Sequence, residues 1–154
     1  MIKNEQQFRI TKGKLADMSA RLDRLRAKYP KQADFRFYSE TTRNQVGQMQ
    51  RELDWYALAK EGDVDKLIAL WNEHGSLHPK SKHDLALGDF LALLRVARGM
   101  RQEDLAKTLG IEQAHVARYE HHDYTGYSLD SLDRVLKALG VRLTLGKGQL
   151  ERAA

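Results

Sequence analysis

The 154-residue chain has no cysteine. Disulfides, thiol nucleophiles and Cys-ligated zinc are therefore excluded, and a reducing cytoplasm is the compartment that fits. Proline occurs only at Pro30 and Pro79, so long helices meet few breaks. No uninterrupted apolar run approaches the length of a membrane span, and no membrane association is expected. The opening MIKNEQQFRITKGKL lacks the apolar stretch of a signal peptide, and none is expected. Strand-type alternation is scarce. No Ser-His-Asp motif, Walker loop or H-E-x-x-H motif occurs, so no enzymatic role is expected. Of the six histidines, His74, His78 and His83 come closest to a ligand set. Their spacing is loose and they fall in a connecting segment, so neither metal nor cofactor is expected.

What the chain does have is helical periodicity and unevenly placed positive charge. Apolar residues recur at Leu15, Met18, Leu22, Leu25 and Tyr29, in steps of 3 and 4 that mark one helix stripe. Thr11 is the expected cap of that helix, with Ile10 and Leu15 at the staple positions, and Pro30 ends it. A second stripe, Val46, Met49, Leu53 and Tyr56, follows the cap-rich SETT at 39–42. A third, Val64, Leu67, Ile68 and Trp71, starts behind the cap Asp63. These segments predict a helical hairpin or bundle, whose stripe can also seal a homodimer. Residues 1–60 hold 13 Lys/Arg against 7 Asp/Glu, a balance of +6. Residues 61–85 balance at −2 and residues 86–154 at +1, which accounts for the net +5. A basic chain favours acidic partners such as nucleic acid.

Residues 72–85, NEHGSLHPKSKHDL, break the pattern with Gly, Pro, Ser and charge. The expected organisation is an assembly region at 1–75, a linker at 76–85, a second domain at 86–146 and a tail at 147–154. In that second domain DFLALLRVARG predicts a helix with Phe90, Leu91, Leu94 and Ala97 facing inward. Gln102 to Leu109 forms the next helix, with Glu103 and Asp104 in its first turn, where the helix dipole favours carboxylates. Gly110 stands where a left-handed residue is wanted, and a third helix starts within a few residues, at about Gln113. A connection that tight forces a steep crossing, which is helix-turn-helix geometry.

At about 100° per residue, Ile111, Val116 and Tyr119 point back into the domain, while Gln113, Ala114, Ala117 and Arg118 share an outer arc. Gln suits the N6/N7 edge of adenine and Arg the O6/N7 edge of guanine. Ala114 and Ala117 permit close approach and contact with a thymine methyl. His115 lies at the rim, nearer phosphate. Further on, Ser128 caps a helix whose apolar set is Leu129, Leu132, Val135, Leu136 and Leu139, and VRLTL at 141–145 alternates like a short strand.

The stretch LRVARGMRQEDLAKTLGIEQAHVARYE, continued by SLDSLDRVLKALGVRL, resembles the lambda-repressor/Cro-like, or Xre-type, helix-turn-helix family over residues 86–145. The resemblance implies an all-α chain ending in a five-helix DNA-binding domain with its own core. It implies that Gln102 holds a phosphate and that Gln113, Ala114 and Arg118 read bases of double-stranded DNA. It also implies a structural pair of Arg95 with Glu120, and backbone contacts from Tyr124, Thr125 and Tyr127. Two positions depart from the family pattern: Arg101 and Glu112 replace the usual capping hydroxyl residues, and Arg101 adds a cation near DNA. The implied function is a sequence-specific transcriptional regulator, a dimeric repressor on a palindromic operator. The layout also resembles antitoxins of bacterial toxin–antitoxin operons, which repress their own operon and bind a cognate toxin. The alternative is a protein-interaction adaptor that keeps the fold without specific DNA binding.

Overall fold

Helix α1 spans Glu5–Lys28, beginning well before Thr11. The cap is Asn4, whose Oδ1 accepts from the Gln7 N–H at 2.9 Å, while Gln7 Oε1 accepts from the Lys3 N–H at 2.8 Å. Asn is a stronger cap than Thr, and Phe8 extends the apolar stripe one heptad upstream of Leu15, so the helix has reason to start early. The computed structural model describes residues 1–76 and 85–142 of the chain.

Helix α2, Gln32–Lys60, also begins earlier than the cap-rich stretch suggests. Ser39 and Thr42 do not cap it. They lie in its interior and are buried, with Ser39 Oγ accepting from Arg43 Nε at 3.1 Å. Phe35, Ser39, Thr42, Val46, Met49, Leu53 and Tyr56 are all buried or half-buried, in steps of 4 and 3. On α1 the matching seam is Phe8, Thr11, Leu15, Met18, Leu22, Leu25 and Tyr29, all half-buried. The two helices therefore meet along heptad seams as an antiparallel pair. Phe8 meets Tyr56 at the base, at 5.2 Å between ring centroids, and Tyr29 stacks on Tyr38 near the tip, at 4.3 Å.

Helix α3, Val64–His74, follows its expected cap: Asp63 Oδ1 accepts from the Lys66 N–H at 3.0 Å. It leads into β1, Gly75–Ser76, which pairs in parallel with β2, Leu85–Ala86. These two-residue strands were not expected from the sequence. They bracket residues 77–84, so most of the expected linker, with His78 and His83, lies outside the described residues. Helices α4 (Leu87–Ala97), α5 (Gln102–Leu109), α6 (Gln113–His121) and α7 (Leu129–Ala138) complete the fold. Among the described residues the C-terminal half thus has four helices where five are expected. Val141 and Arg142 are not in a strand, and 143–145 of the expected strand, like the tail, lie outside the described residues.

The core does not stop at the linker. Leu53, Tyr56, Ala59 and Leu67 join Leu91, Leu94, Leu105, Val116 and Leu139 in one buried cluster. Helix α4 explains why. Phe90 to Arg95 are all buried, on every side of the helix, because α2 and α3 cover the face that α5 to α7 leave open. A helix that is apolar all round is an internal helix. Trp71 of α3 stacks on Phe90 of α4 at 4.9 Å. At the start of α4, a Cβ on Gly88 would stand 2.4 Å from the backbone of Asp123, so only glycine lets the loop after α6 lie against the helix. One expected core residue is misplaced: Leu129 is 83% exposed at the start of α7. No helix among the described residues is long and apolar enough to cross a membrane.

Candidate nucleic-acid interface

Helices α5 and α6 are joined through Gly110, whose φ of 67° and ψ of 35° are left-handed. The Ile111 N–H reaches back to the Ala106 carbonyl at 3.0 Å, closing α5 and turning the chain at once into α6. Val116 is fully buried and Ile111 and Tyr119 are half-buried, which fixes the inner face of α6. Gln113, Ala114 and Arg118 are exposed, while His115 and Ala117 are half-buried beside them. Arg118 forms no ion pair among the described residues. Three members of the expected outer arc, Gln113, Ala114 and Arg118, are therefore at the surface, with Ala117 partly covered.

Beneath that surface is a buried polar relay. Arg95 Nε donates to Glu120 Oε1 at 2.5 Å, and Arg95 Nη2 to Glu120 Oε2 at 3.0 Å. Both side chains are almost wholly buried, so each charge depends on the other. Arg95 Nη1 also donates to the Met100 carbonyl at 2.8 Å, and Nη2 to the Lys3 carbonyl at 3.0 Å. Gln102 Nε2 donates to Glu120 Oε2 at 2.9 Å, and Gln102 Oε1 accepts from Gln113 Nε2 at 3.3 Å. The Gln102 amide is thus turned toward Glu120 and Gln113, where the sequence led us to expect it on a phosphate. The cause is electrostatic: the acceptor capacity that Arg95 leaves on a buried carboxylate oxygen is stronger than what solvent offers.

Arg101 is exposed and pairs with Asp104, Nε to Oδ2 at 3.3 Å, and with Glu103 at 3.6 Å. The missing capping hydroxyl is offset from the other side, since Asp104 Oδ2 accepts from the Arg101 N–H at 2.8 Å. That backbone bond, first, and the guanidinium, second, hold the Asp104 carboxyl below its ordinary value. Glu112 caps α6 without a side-chain bond; the His115 N–H bonds the Glu112 carbonyl instead, at 2.9 Å.

The aromatic loop departs most from expectation. Tyr124 has a positive φ of 58° and is only 7% exposed. Its ring joins the core near Tyr119, at 5.8 Å, and its buried hydroxyl has no hydrogen-bond partner among the described residues. Burial pushes the phenol far above its ordinary range. Tyr124 thus packs into the core, where the sequence led us to expect it at the surface. Thr125 is exposed, its hydroxyl donating to the His122 carbonyl at 2.6 Å, and Tyr127 is half-buried, edge-on to Tyr119 at 4.1 Å. These two remain on the surface. Among the described residues no cluster of His, Asp and Glu is arranged to hold a metal ion.

Lys3 is the residue that sequence reasoning missed. Its ammonium donates to the Glu120 carbonyl and to Asp123 Oδ1 at 2.9 Å, and lies 3.5 Å from Asp89. Ile2 beside it is 1% exposed. A contact across 117 positions leaves no local signal in the sequence.

Residues 91–145 match a protein-family model described as Helix-turn-helix. The match runs from within α4 to just past the described residues, about a third of the chain. No curated protein matches the chain, and no solved structure does.

Proposed function

We propose that the chain, proceeding from its helix-turn-helix segment, is a sequence-specific DNA-binding repressor that works as a homodimer on a palindromic operator in the cytoplasm. The observation that carries the proposal is the exposed outer face of α6. Gln113, Ala114 and Arg118 are presented together on a helix whose other face is locked into the core. Gln113 and Arg118 have the donor geometry for adenine and guanine edges in the major groove, and the two alanines keep the helix close to the bases. Arg101, Gln102, His115, Thr125 and Tyr127 surround that face, where phosphates would run.

Dimerisation draws support from three exposed side chains. Phe37 is 76%, Tyr38 53% and Leu129 83% exposed, and an apolar contact would remove them from water. The antitoxin reading adds a cognate toxin as partner and rests on layout alone. The exposed aromatics at the hairpin tip also favour the adaptor reading, in which the fold recruits a protein and reads no base. One experiment separates the two: selection of duplexes from a random pool by the full chain. A recovered site with two-fold symmetry supports the dimeric repressor. Recovery of no preferred sequence sinks it and leaves the adaptor.

A further inference from the structure

We propose that Lys3, outside the helix-turn-helix segment, is a positioning residue that sets the base preference of α6. The inference rests on the DNA reading above and deepens it. Lys3 holds α6 at two levels. Its ammonium bonds the Glu120 carbonyl in the last turn, where four carbonyls lack helical partners and where a cation is favoured by the helix dipole. The same ammonium bonds Asp123 Oδ1, tying down the loop that leaves the helix. Meanwhile the Lys3 backbone carbonyl accepts a hydrogen bond from Arg95 Nη2, whose guanidinium grips the Glu120 carboxylate.

From there the chain of contacts runs outward. Glu120 Oε2 receives Gln102 Nε2, and Gln102 Oε1 receives Gln113 Nε2. Gln113 is the first residue of α6 and the one best placed for an adenine edge. With its side-chain nitrogen partly committed to Gln102, its amide has a fixed orientation before any DNA arrives. Lys3 is only 15% exposed and lies between the carboxylates of Asp89 and Asp123 and the backbone carbonyl of Glu120, so its charge is spent inside the protein and not on phosphate. The segment ahead of α1 therefore anchors both the end of the recognition helix and the relay that aims its start. Anything that displaces this segment would change which bases are read before it changed how tightly DNA is held.

The test uses the full chain and two substitutions. Lys3→Met keeps the apolar stem and removes the ammonium, and Lys3→Arg restores a cation. Gln113→Ala serves as the reference for the base pair that Gln113 reads. Affinities are measured for the selected duplex, for that duplex changed at the Gln113 pair, and for random duplex. Lys3→Met is expected to lower discrimination at that pair by about three- to tenfold, while random-duplex affinity stays within about twofold. Lys3→Arg is expected to recover most of the discrimination. Amide exchange is followed in parallel at His122 and Tyr124, whose N–H groups close the end of α6, and at Leu139 in the last turn of α7. Faster exchange in Lys3→Met is expected at the first two only. Unchanged discrimination overturns the proposal, as does an equal loss on specific and random DNA. A wild-type chain that prefers no duplex overturns the DNA reading and the role in preference together. Accelerated exchange would then mark that as a failure of the DNA reading, and unchanged exchange as a failure of the anchoring as well.

Discussion

Leu67→Ala tests whether the molecule folds as one body. Leu67 is fully buried in α3, on the layer that covers α4, and belongs to the cluster shared with Leu105 and Val116 of α5 and α6. Truncation at such a site removes transfer energy and leaves a cavity, at a cost of about 2–5 kcal/mol. A domain of this size is stable by about 5–15 kcal/mol, so the loss is a large fraction of the total. At about 2–4 °C per kcal/mol it lowers the melting midpoint by roughly 4–20 °C. The chain carries its own reporters. Its two tryptophans, Trp55 and Trp71, both sit in the N-terminal layer, while far-UV circular dichroism sees every helix. Urea unfolding followed by both signals should give coincident curves that shift together in the variant. Amide exchange at Leu105 and Val116 should accelerate by the same free energy, although both lie in the other half of the sequence. A biphasic dichroism curve, with the α5–α7 transition unmoved, would refute a shared core and restore the picture of two domains on a linker.

Tyr124→Phe removes a buried hydroxyl that has no partner among the described residues. It should leave DNA affinity unchanged and raise stability by up to about 1 kcal/mol; a clear loss of affinity in titrations would put Tyr124 back on the DNA backbone. Glu120→Ala leaves Arg95 charged and buried without its carboxylate, and should cost about 3–5 kcal/mol in urea melts; a cost below about 1 kcal/mol would mean the pair is solvated. Arg118→Ala should lose about 1–3 kcal/mol of discrimination at one base pair, whereas equal weakening on selected and random duplexes would make Arg118 a phosphate contact. Asp104 has its folded pKa depressed by the Arg101 N–H and guanidinium, so its contribution is present above its ordinary value of 3.8 and is lost as pH falls through the lower folded value. Stability curves of wild type and Asp104→Asn should therefore converge in acid; curves that stay parallel to the lowest pH would refute the coupling.

Helix α6 and the turn before it were legible because their evidence is local. Gly110, the spacing of Val116 and Tyr119, and the outer set of Gln113, Ala114 and Arg118 all lie within ten residues of one another. The hairpin was only half legible, since Ser39 and Thr42 occupy seam positions and interrupt the apolar pattern that marks the rest of α2. Their spacing was correct, but their polarity hid it. Helix α4 carried a readable sign, because LGDFLALLRVA is apolar on every side and so needs covering on every side. The orientations of Gln102 and Tyr124 were not legible, for a common reason. Each side chain is oriented by what lies beneath it, a buried carboxylate for the first and an aromatic cluster for the second, and neither is encoded by neighbours in sequence.

The antiparallel seam has a consequence for length. Along it, partners fall where their residue numbers sum to about 64: Phe8 and Tyr56 at the base give 64, and Arg26 over Phe35 and Tyr29 on Tyr38 near the tip give 61 and 67. Helix α1 contributes no buried residue, and in the tip-ward half of α2 the buried side chains are the short Ser39 and Thr42. The outer hairpin is then a rod whose extent is set independently of the helix-turn-helix half. Deleting one heptad from each helix, residues 19–25 and 39–45, keeps every remaining seam pair in register. It would draw the tip inward by about 10 Å and turn it by only about 20°. Phe37 and Tyr38 would travel with the tip, so whatever meets those two rings is met at a distance from α6 that heptads can add to or subtract from.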